Sequence, residues 1–561
     1  MTMKRLYVFA LFLIIQSSAF AQLLTIDISE DRFRIDPFDH IIVIQAFDLD
    51  EYSDLSGFSE IELILAEFQY QFTSIPASLE YTDSYMVSDG VDDFDLFFTQ
   101  LPLLKIQSST VISSGSKIPG EFSYADNNQI LNAPIGVNFQ NSYLSNYPKR
   151  SYSLEFWTEP ESEIPTDVQF GNMTSDDDWV LISMYHDPLR IRTLTAHKLW
   201  LAMHQPSYLA EEPGALSGTD AEYAEVFVNG HYSGIYLLSQ QIEPDLLDIR
   251  EFDGTIRGEL FRGKEAQGAT LFTGLPNFDN SLRFWAGHTM IYPLAEDTTN
   301  WQNIYDFTDF VLNSTDTEFQ DVWSRFDYQN YLDHFIFLNL TRTADNTGKN
   351  VYMARLDEGS PYFYVPAQLN GSFGIKWDGT DLNVTNDILT NGFINRVIEN
   401  DVNNYTADVN ARWAELRGDI LSIENLTQDI TDSYNLLKAN NIYAREALVY
   451  PNYPFNQESF DYLLTWLEER IAFLDPYFNY FPLSVSKKDR NDFIIYPNPV
   501  EENFRIQARE NLIGEYFHIF DLQGQTVKSG LYNGEMISIS DIESGFYILE
   551  IKNHSEKIVV R

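Results

Sequence analysis

The residues whose types could support chemistry are concentrated in four stretches that combine charged and aromatic side chains within otherwise apolar sequence. These stretches are residues 147–157, 176–203, 224–238 and 341–378. The chain contains no cysteine, which excludes thiol nucleophiles, disulfides and zinc sites built on cysteine. Its nine histidines form no pair at metal-ligand spacing, and no Gly-x-Ser-x-Gly elbow is present. A hydrolase therefore has little support.

Local patterns indicate which elements position these stretches. The first begins with the cations Lys149 and Arg150 and then alternates as a strand does. The second contains a helix-like run over residues 195–203. In the third, Asn229-Gly230 separates two apolar runs, which predicts a β-hairpin.

The wider pattern predicts an α+β fold. Short apolar and alternating runs, such as 41–44 and 61–65, predict a β-rich flank over residues 22–98. This flank carries eighteen acidic residues and only two basic ones. From about residue 99 to 483, longer strands give way to helices, because residues 311–339 and 407–481 carry apolar side chains at three- and four-residue spacing.

The N-terminus is typical of a signal peptide over residues 1–21. Lys4 and Arg5 precede the apolar run 6–15, and Ala19-Phe20-Ala21 forms a small-residue exit. A core strand is the alternative, but it does not explain this exit. The apolar run is too short to cross a bilayer as a helix, so we expect no transmembrane segment in the mature chain.

The net charge of -47, from 83 acidic and 36 basic residues, argues against a nucleic-acid partner. Phosphate backbones would be repelled by such a surface. The charge is explained most simply by solubility outside the cell.

The C-terminal module, residues 492–561, follows a short polar linker at 484–491. It opens with Tyr-Pro-Asn-Pro at 496–499, continues with short strands and a turn at 522–525, and ends in Arg561. This pattern resembles the sorting domain of the type IX secretion system of Bacteroidetes. The resemblance implies a small all-β sandwich, the type IX secretion machinery as partner, and a secreted or cell-surface protein that passes through the periplasm. A small β-sandwich that only binds a ligand remains the alternative.

The central region resembles the spore-coat protein H family, known as CotH kinases, from about residue 101 to 481. The order of the four stretches and the NGxYxGxYLL-like hairpin at 229–238 carry this resemblance. It implies an atypical protein-kinase-like domain that uses ATP with Mg²⁺ or Mn²⁺. Phosphate would pass to Ser or Thr hydroxyls of a protein substrate that the resemblance does not identify.

The family's functional residues map onto four positions of this chain. By resemblance, Asp345 corresponds to the catalytic-loop carboxylate and Asn350 to its metal-binding companion. Asp378, after Trp377, corresponds to the second metal ligand, and Lys149 to a phosphate contact. Each residue also has a structural alternative: the first three are plausible turn residues, and Lys149 is a plausible strand-end charge.

Three departures from the family pattern support a second hypothesis. Residues 137–142 lack the expected arginine and glycine, and Trp377-Asp378 is followed by Gly-Thr, which leaves out a second acid unless Asp381 replaces it. After the hairpin, residues 240–243 read Gln-Gln-Ile-Glu where a Glu-Lys pair is frequent. Lost charges weaken a phosphate site, so the alternative is a catalytically degenerate CotH-fold surface protein with a binding or structural role.

Overall fold

The computed structural model describes the chain in two compact units, the first ending at Asn479 and the second beginning at Tyr480. The described residues are 22–45, 48–140, 147–452, 455–480, 493–496, 498, 500, 502–508, 511–521, 525–542, 544–552 and 554–560. The predicted signal peptide at 1–21 and linker at 484–491 lie outside them, as does most of the predicted turn at 522–525.

The N-terminal flank folds into a seven-stranded sheet with the order β1-β4-β5-β6-β7-β3-β2. Its strands are β1 (Leu23–Ile28), β2 (Phe33–Asp36), β3 (Ile41–Gln45), β4 (Glu60–Leu65), β5 (Phe68–Phe72), β6 (Ser84–Ser88) and β7 (Asp93–Thr99). Successive side chains of a strand point to opposite faces. Ile42 and Ile44 therefore belong to the sheet's own core, whereas Ile41 and Val43 join a second cluster with Phe227. The apolar run 41–44 is buried on both faces for this reason.

A closed barrel with the order β10-β11-β12-β14-β13-β8-β9 follows the sheet. Its strands are β8 (Leu103–Gln107), β9 (Ile118–Ala125), β10 (Ile130–Phe139), β11 (Tyr152–Phe156), β12 (Asp178–Ile182), β13 (Ala221–Val228) and β14 (His231–Gln240). The predicted hairpin is confirmed as β13 and β14. Asn229 and Gly230 both have positive φ, 51° and 82°, as a two-residue turn with the twist of a hairpin requires.

A five-stranded sheet and nine α-helices complete the described part of the first unit. The strands are β15 (Glu259–Gly263), β16 (Phe284–Trp285), β17 (His288–Tyr292), β18 (Val351–Arg355) and β19 (Tyr362–Pro366). The helices are α1 (Arg192–Met203), α2 (Gln302–Asn313), α3 (Asp316–Phe319), α4 (Tyr328–Thr341), α5 (Gly392–Asn400), α6 (Tyr405–Arg417), α7 (Ile423–Ala439), α8 (Ile442–Val449) and α9 (Gln457–Tyr477). Helix α4 is buried along almost its whole length. Its first turn is fixed by Asp327, whose side chain accepts a hydrogen bond from the Asn330 N–H at 2.9 Å.

The second unit consists of two antiparallel sheets, β20-β21-β24 and β23-β22-β25-β26. Their strands are β20 (Phe493–Tyr496), β21 (Asn503–Ala508), β22 (Tyr516–Phe520), β23 (Thr526–Leu531), β24 (Ile537–Ser538), β25 (Gly545–Ile551) and β26 (His554–Val560). Phe504 of the first sheet and Ile519 of the second belong to one apolar core. The prediction of a mixed α and β chain with an all-β C-terminal region is confirmed.

Within the described ranges, each helix is too short or too polar to cross a membrane.

Candidate functional site

Asp345 and Asn350 lie together in the loop between helix α4 and strand β18. The Asn350 amide donates a hydrogen bond to Asp345 Oδ2 at 3.2 Å. The Lys349 ammonium forms an ion pair with the same oxygen, also at 3.2 Å. Asp345 is partly exposed, whereas Asn350 is buried. The structure therefore brings two of the four predicted site residues into contact.

The backbone of Asn350 is held between two strands. Its N–H donates to the Gly263 carbonyl at 2.7 Å, and its carbonyl accepts from the Ala367 N–H at 3.0 Å. Asn346 strengthens this contact, because its side-chain amide donates to the Ala367 carbonyl at 3.1 Å. The segment directly after β19 is thereby fixed beside Asn350.

This segment, residues 367–370, was not predicted as part of the site. It reads Ala-Gln-Leu-Asn, so the polar side chains of this segment are amides rather than carboxylates. Gln368 is exposed and has a positive φ of 50°, a conformation that marks a sharp change of direction at the strand end. The sequence signal that could have located it is the end of the apolar strand at Pro366.

Asp378 lies in a turn over residues 376–380. Its side chain accepts a hydrogen bond from the Thr380 N–H at 3.0 Å, and Gly379 has a φ of 84°. Hydrogen bonds from Thr380 hold the pKa of Asp378 below its usual range. Across the described residues, no hydrogen bond or ion pair joins Asp378 to Asp345 or Asn350. Its role as a metal ligand stays a prediction.

Lys149 is buried in an ion-pair network that spacing did not predict. Its ammonium pairs with Glu446 of helix α8, donates to the Ile235 carbonyl at 2.5 Å, and lies 4.6 Å from the centroid of the Tyr236 ring. Burial lowers the pKa of Lys149 to about 7, although the attraction of Glu446 acts in the opposite direction. Within the described chain, no hydrogen bond or ion pair joins Lys149 to Asp345, and its phosphate contact also stays a prediction.

Glu446 also pairs with Arg190. The guanidinium Nε donates to Glu446 Oε2 at 2.8 Å, and the Ile235 N–H donates to the other carboxylate oxygen at 2.9 Å. Burial alone would raise the pKa of Glu446, but the attractions of Arg190 and Lys149 hold it below its usual range. The network therefore contains two buried cations and one carboxylate.

His186 connects this network to the segment after β19. Arg190 donates to the carbonyls of Met184 and Tyr185, at 3.2 and 3.0 Å, and so fixes the loop that carries His186. His186 Nε2 lies 3.2 Å from the Asn370 carbonyl, which can only accept, so this nitrogen carries the proton. Burial lowers the pKa of His186 to about 4, and the ring is neutral at neutral pH.

A second group of charges surrounds Glu243, at the position where the sequence departs from the family pattern. Burial, together with the nearby carboxylates Asp178, Asp176 and Asp177, raises the pKa of Glu243 to about 8. Gln241, which donates to Glu243, acts against this shift.

Replacing Glu243 with glutamine should therefore raise the melting temperature by roughly 1–3 °C at pH 9, and by progressively less as the pH falls towards about 5. Folded Glu243 holds its proton up to about pH 8, whereas the unfolded side chain, with an ordinary pKa near 4.5, has already released it. Its contribution to stability thus falls as pH rises towards 8. Calorimetry of both proteins from about pH 5 to pH 9 measures the difference, with Glu251→Gln, at an exposed position, as control. An equal difference at every pH would contradict this assignment.

The first unit is an α+β structure in which a loop presents an aspartate and an asparagine five residues apart, and it is followed by a separate all-β module. A family model described as CotH kinase protein matches residues 138–474, and one described as secretion system C-terminal sorting domain matches residues 494–561. Because the first match covers more than half of the chain, the chain belongs to the CotH kinase protein family. The second match indicates secretion or attachment to the cell surface by way of the periplasm. No curated protein matches the chain.

The residues in contact with Asn350 would supply few charged ligands for the Mg²⁺ or Mn²⁺ that the family resemblance implies together with ATP. The carboxylate of Asp345 already contacts the Lys349 ammonium and the Asn350 amide, and Gln368 and Asn370 supply no charge. Magnesium is held in such sites by carboxylates and phosphate oxygens in strict octahedral geometry. With Asp345 as the one carboxylate in these contacts, most ligand positions would fall to phosphate oxygens and water, and the loop by itself would hold the metal weakly.

Proposed function

We propose that this chain is a secreted or cell-surface CotH-fold protein that acts by binding, and that its phosphoryl-transfer site is degenerate. One observation carries the proposal: the segment after β19, which is hydrogen-bonded to Asn350 at Ala367, carries the amides Gln368 and Asn370 and no carboxylate. Phosphoryl transfer depends on metal ions that neutralise phosphate charge. Neutral amides at this strand end supply little of that electrostatic stabilisation.

The position of Asp378 supports the same conclusion. Its carboxylate is used within its own turn, and the adjacent Asn370 amide donates to the Trp377 carbonyl at 3.4 Å. The turn is thus held by hydrogen bonds of its own backbone and neighbours. Export adds a further reason, since ATP is scarce outside the cell.

The purified full-length chain should incorporate no label from labelled ATP with Mg²⁺ or Mn²⁺, and its melting temperature should shift by less than about 1 °C with nucleotide and metal. A Gln368→Asp variant should gain a Mn²⁺-dependent shift of about 2–4 °C, because it adds a carboxylate directly after Ala367, whose N–H is hydrogen-bonded to Asn350. Gln368→Asn is the matched control, since it has the shape of aspartate without the charge.

Label that appears with the natural chain and disappears in both Asp345→Asn and Asp378→Ala would overturn the proposal. A Mn²⁺ response of equal size in Gln368→Asn and Gln368→Asp would show that charge at this strand end is not the missing element.

An atypical Ser/Thr protein kinase is the second candidate. It is favoured by the contact between Asp345 and Asn350 and by the buried Lys149–Glu446 pair, because protein kinases use a catalytic aspartate, a metal-binding asparagine and a Lys–Glu ion pair. The label experiment separates the two candidates directly.

A further inference from the structure

Helix α8 carries a second buried ion pair beside the Lys149–Glu446 pair. The Arg445 guanidinium contacts both carboxylate oxygens of Glu225 in the barrel, at 2.8 and 2.6 Å, and neither side chain is exposed. The same guanidinium lies 4.7 Å from the centroid of the Phe97 ring, which belongs to strand β7 of the N-terminal sheet. Arg445 is therefore packed between the barrel and the sheet.

Asn440, which precedes helix α8, is hydrogen-bonded to the end of strand β7. Asn440 is fully buried, and its side-chain oxygen accepts a hydrogen bond from the Gln100 N–H at 2.7 Å. The Thr99 hydroxyl lies 3.4 Å from this oxygen. The Asn440 carbonyl in turn accepts from the Arg445 guanidinium at 3.1 Å. We call these five residues, Phe97, Thr99, Gln100, Asn440 and Arg445, the sheet–helix contact.

Glu446 directly follows Arg445 in the sequence. Because the two residues are adjacent, the sheet–helix contact at Arg445 also fixes the backbone of Glu446, whose carboxylate pairs with Lys149 and Arg190. A shift of helix α8 away from the sheet would move Glu446 as well, and would remove the group that covers and neutralises Lys149. The residues of the sheet lie outside the part of the chain matched by the CotH model.

We propose that the N-terminal sheet is a positioning device, which holds helix α8 in place through the sheet–helix contact and thereby controls access to Lys149. When the contact is intact, Lys149 is buried and paired. When the contact is weakened, helix α8 moves locally and the Lys149 amine becomes accessible to solvent. This goes beyond the proposed function, because it requires neither nucleotide nor phosphoryl transfer.

Brief acetylation of the full-length chain with an amine-reactive ester, followed by mass spectrometry of the peptide that contains Lys149, measures this access. We expect Asn440→Ala and Phe97→Ala to raise the labelling rate of Lys149 about tenfold, since each removes one side of a buried contact. The exposed Lys376 serves as internal reference in each sample.

Leu63→Ala is the matched control. Leu63 is fully buried in the sheet's own core, which does not include the residues that face helix α8. It should lower the stability of the sheet and leave the labelling rate of Lys149 unchanged at temperatures well below unfolding. Equal rates in the natural chain and both contact variants, or an equal rise in Leu63→Ala, would refute the proposal.

Thr99→Val provides a milder variant, because it removes only the hydroxyl next to Asn440. Amide hydrogen exchange of residues 442–449 should then increase together with Lys149 labelling, whereas a helix that exchanges as slowly as in the natural chain would also refute the proposal.

Discussion

Replacing Glu446 with glutamine should lower the free energy of unfolding of the first unit by about 3–5 kcal/mol. The change leaves the ammonium of Lys149 and the guanidinium of Arg190 buried side by side without the carboxylate that both contact. Removing one partner of a buried ion pair is costly because the remaining charge is neither hydrated nor neutralised. Urea unfolding followed by tryptophan fluorescence measures the loss, and all nine tryptophans lie in the first unit.

Glu415→Gln is the control for this measurement. Glu415 pairs with Arg412 at 2.9 Å, but its side chain is 69% exposed. Exposed pairs of this kind contribute less than about 1 kcal/mol. If Glu446→Gln lowered the free energy of unfolding by as little as Glu415→Gln, the buried network around Lys149 would not stabilise the first unit.

Deleting residues 492–561 should stop the protein from reaching the medium or the cell surface of a bacterium with type IX secretion, and should leave the melting temperature of the first unit unchanged. The module has its own apolar core and is a compact unit by itself, and it matches the sorting-domain model over residues 494–561. Fractionation of cells that express the full and shortened chains locates the protein, and fluorescence melting reports on the first unit alone.

Two point variants test whether export requires the C-terminal module to be folded. Phe504→Ala, at a fully buried position, should disrupt the module's core and reduce export, whereas Val527→Ala, at an exposed position, should not. Export of the shortened chain at the level of the full chain would contradict the role of the module.

Local features of the fold could be predicted from the sequence because short-range chemistry determines them. Asn229-Gly230 requires positive φ at two consecutive residues, and this identified the hairpin of β13 and β14. The helix-like run at 195–203 likewise lies within helix α1. In each case the residues that determine the structure are neighbours in the sequence.

The ion-pair network around Lys149 could not be predicted in this way. Lys149 and Glu446 are 297 residues apart, and no periodicity relates them. The sequence pattern indicated Asp378 because it follows Trp377 and carries a carboxylate, but the residue that contacts Asn350, Ala367, is determined by where strand β19 ends. Gln368 carries no charge and therefore gave no signal of its own. A site formed by strand ends and a distant helix depends on tertiary packing, which cannot be predicted from the spacing of residues in the sequence.

The hydrogen bond between Thr99 and Asn440 has a consequence for the order in which the chain folds. These residues are 341 positions apart, so the barrel-facing side of the N-terminal sheet receives its final contacts only after almost the whole first unit has been synthesised. Contacts between distant parts of a chain slow folding, and apolar surface that waits for its partner promotes aggregation. The N-terminal sheet is therefore synthesised first but completes its packing late. A nascent or partly translocated chain remains prone to aggregation until helix α8 packs against this sheet.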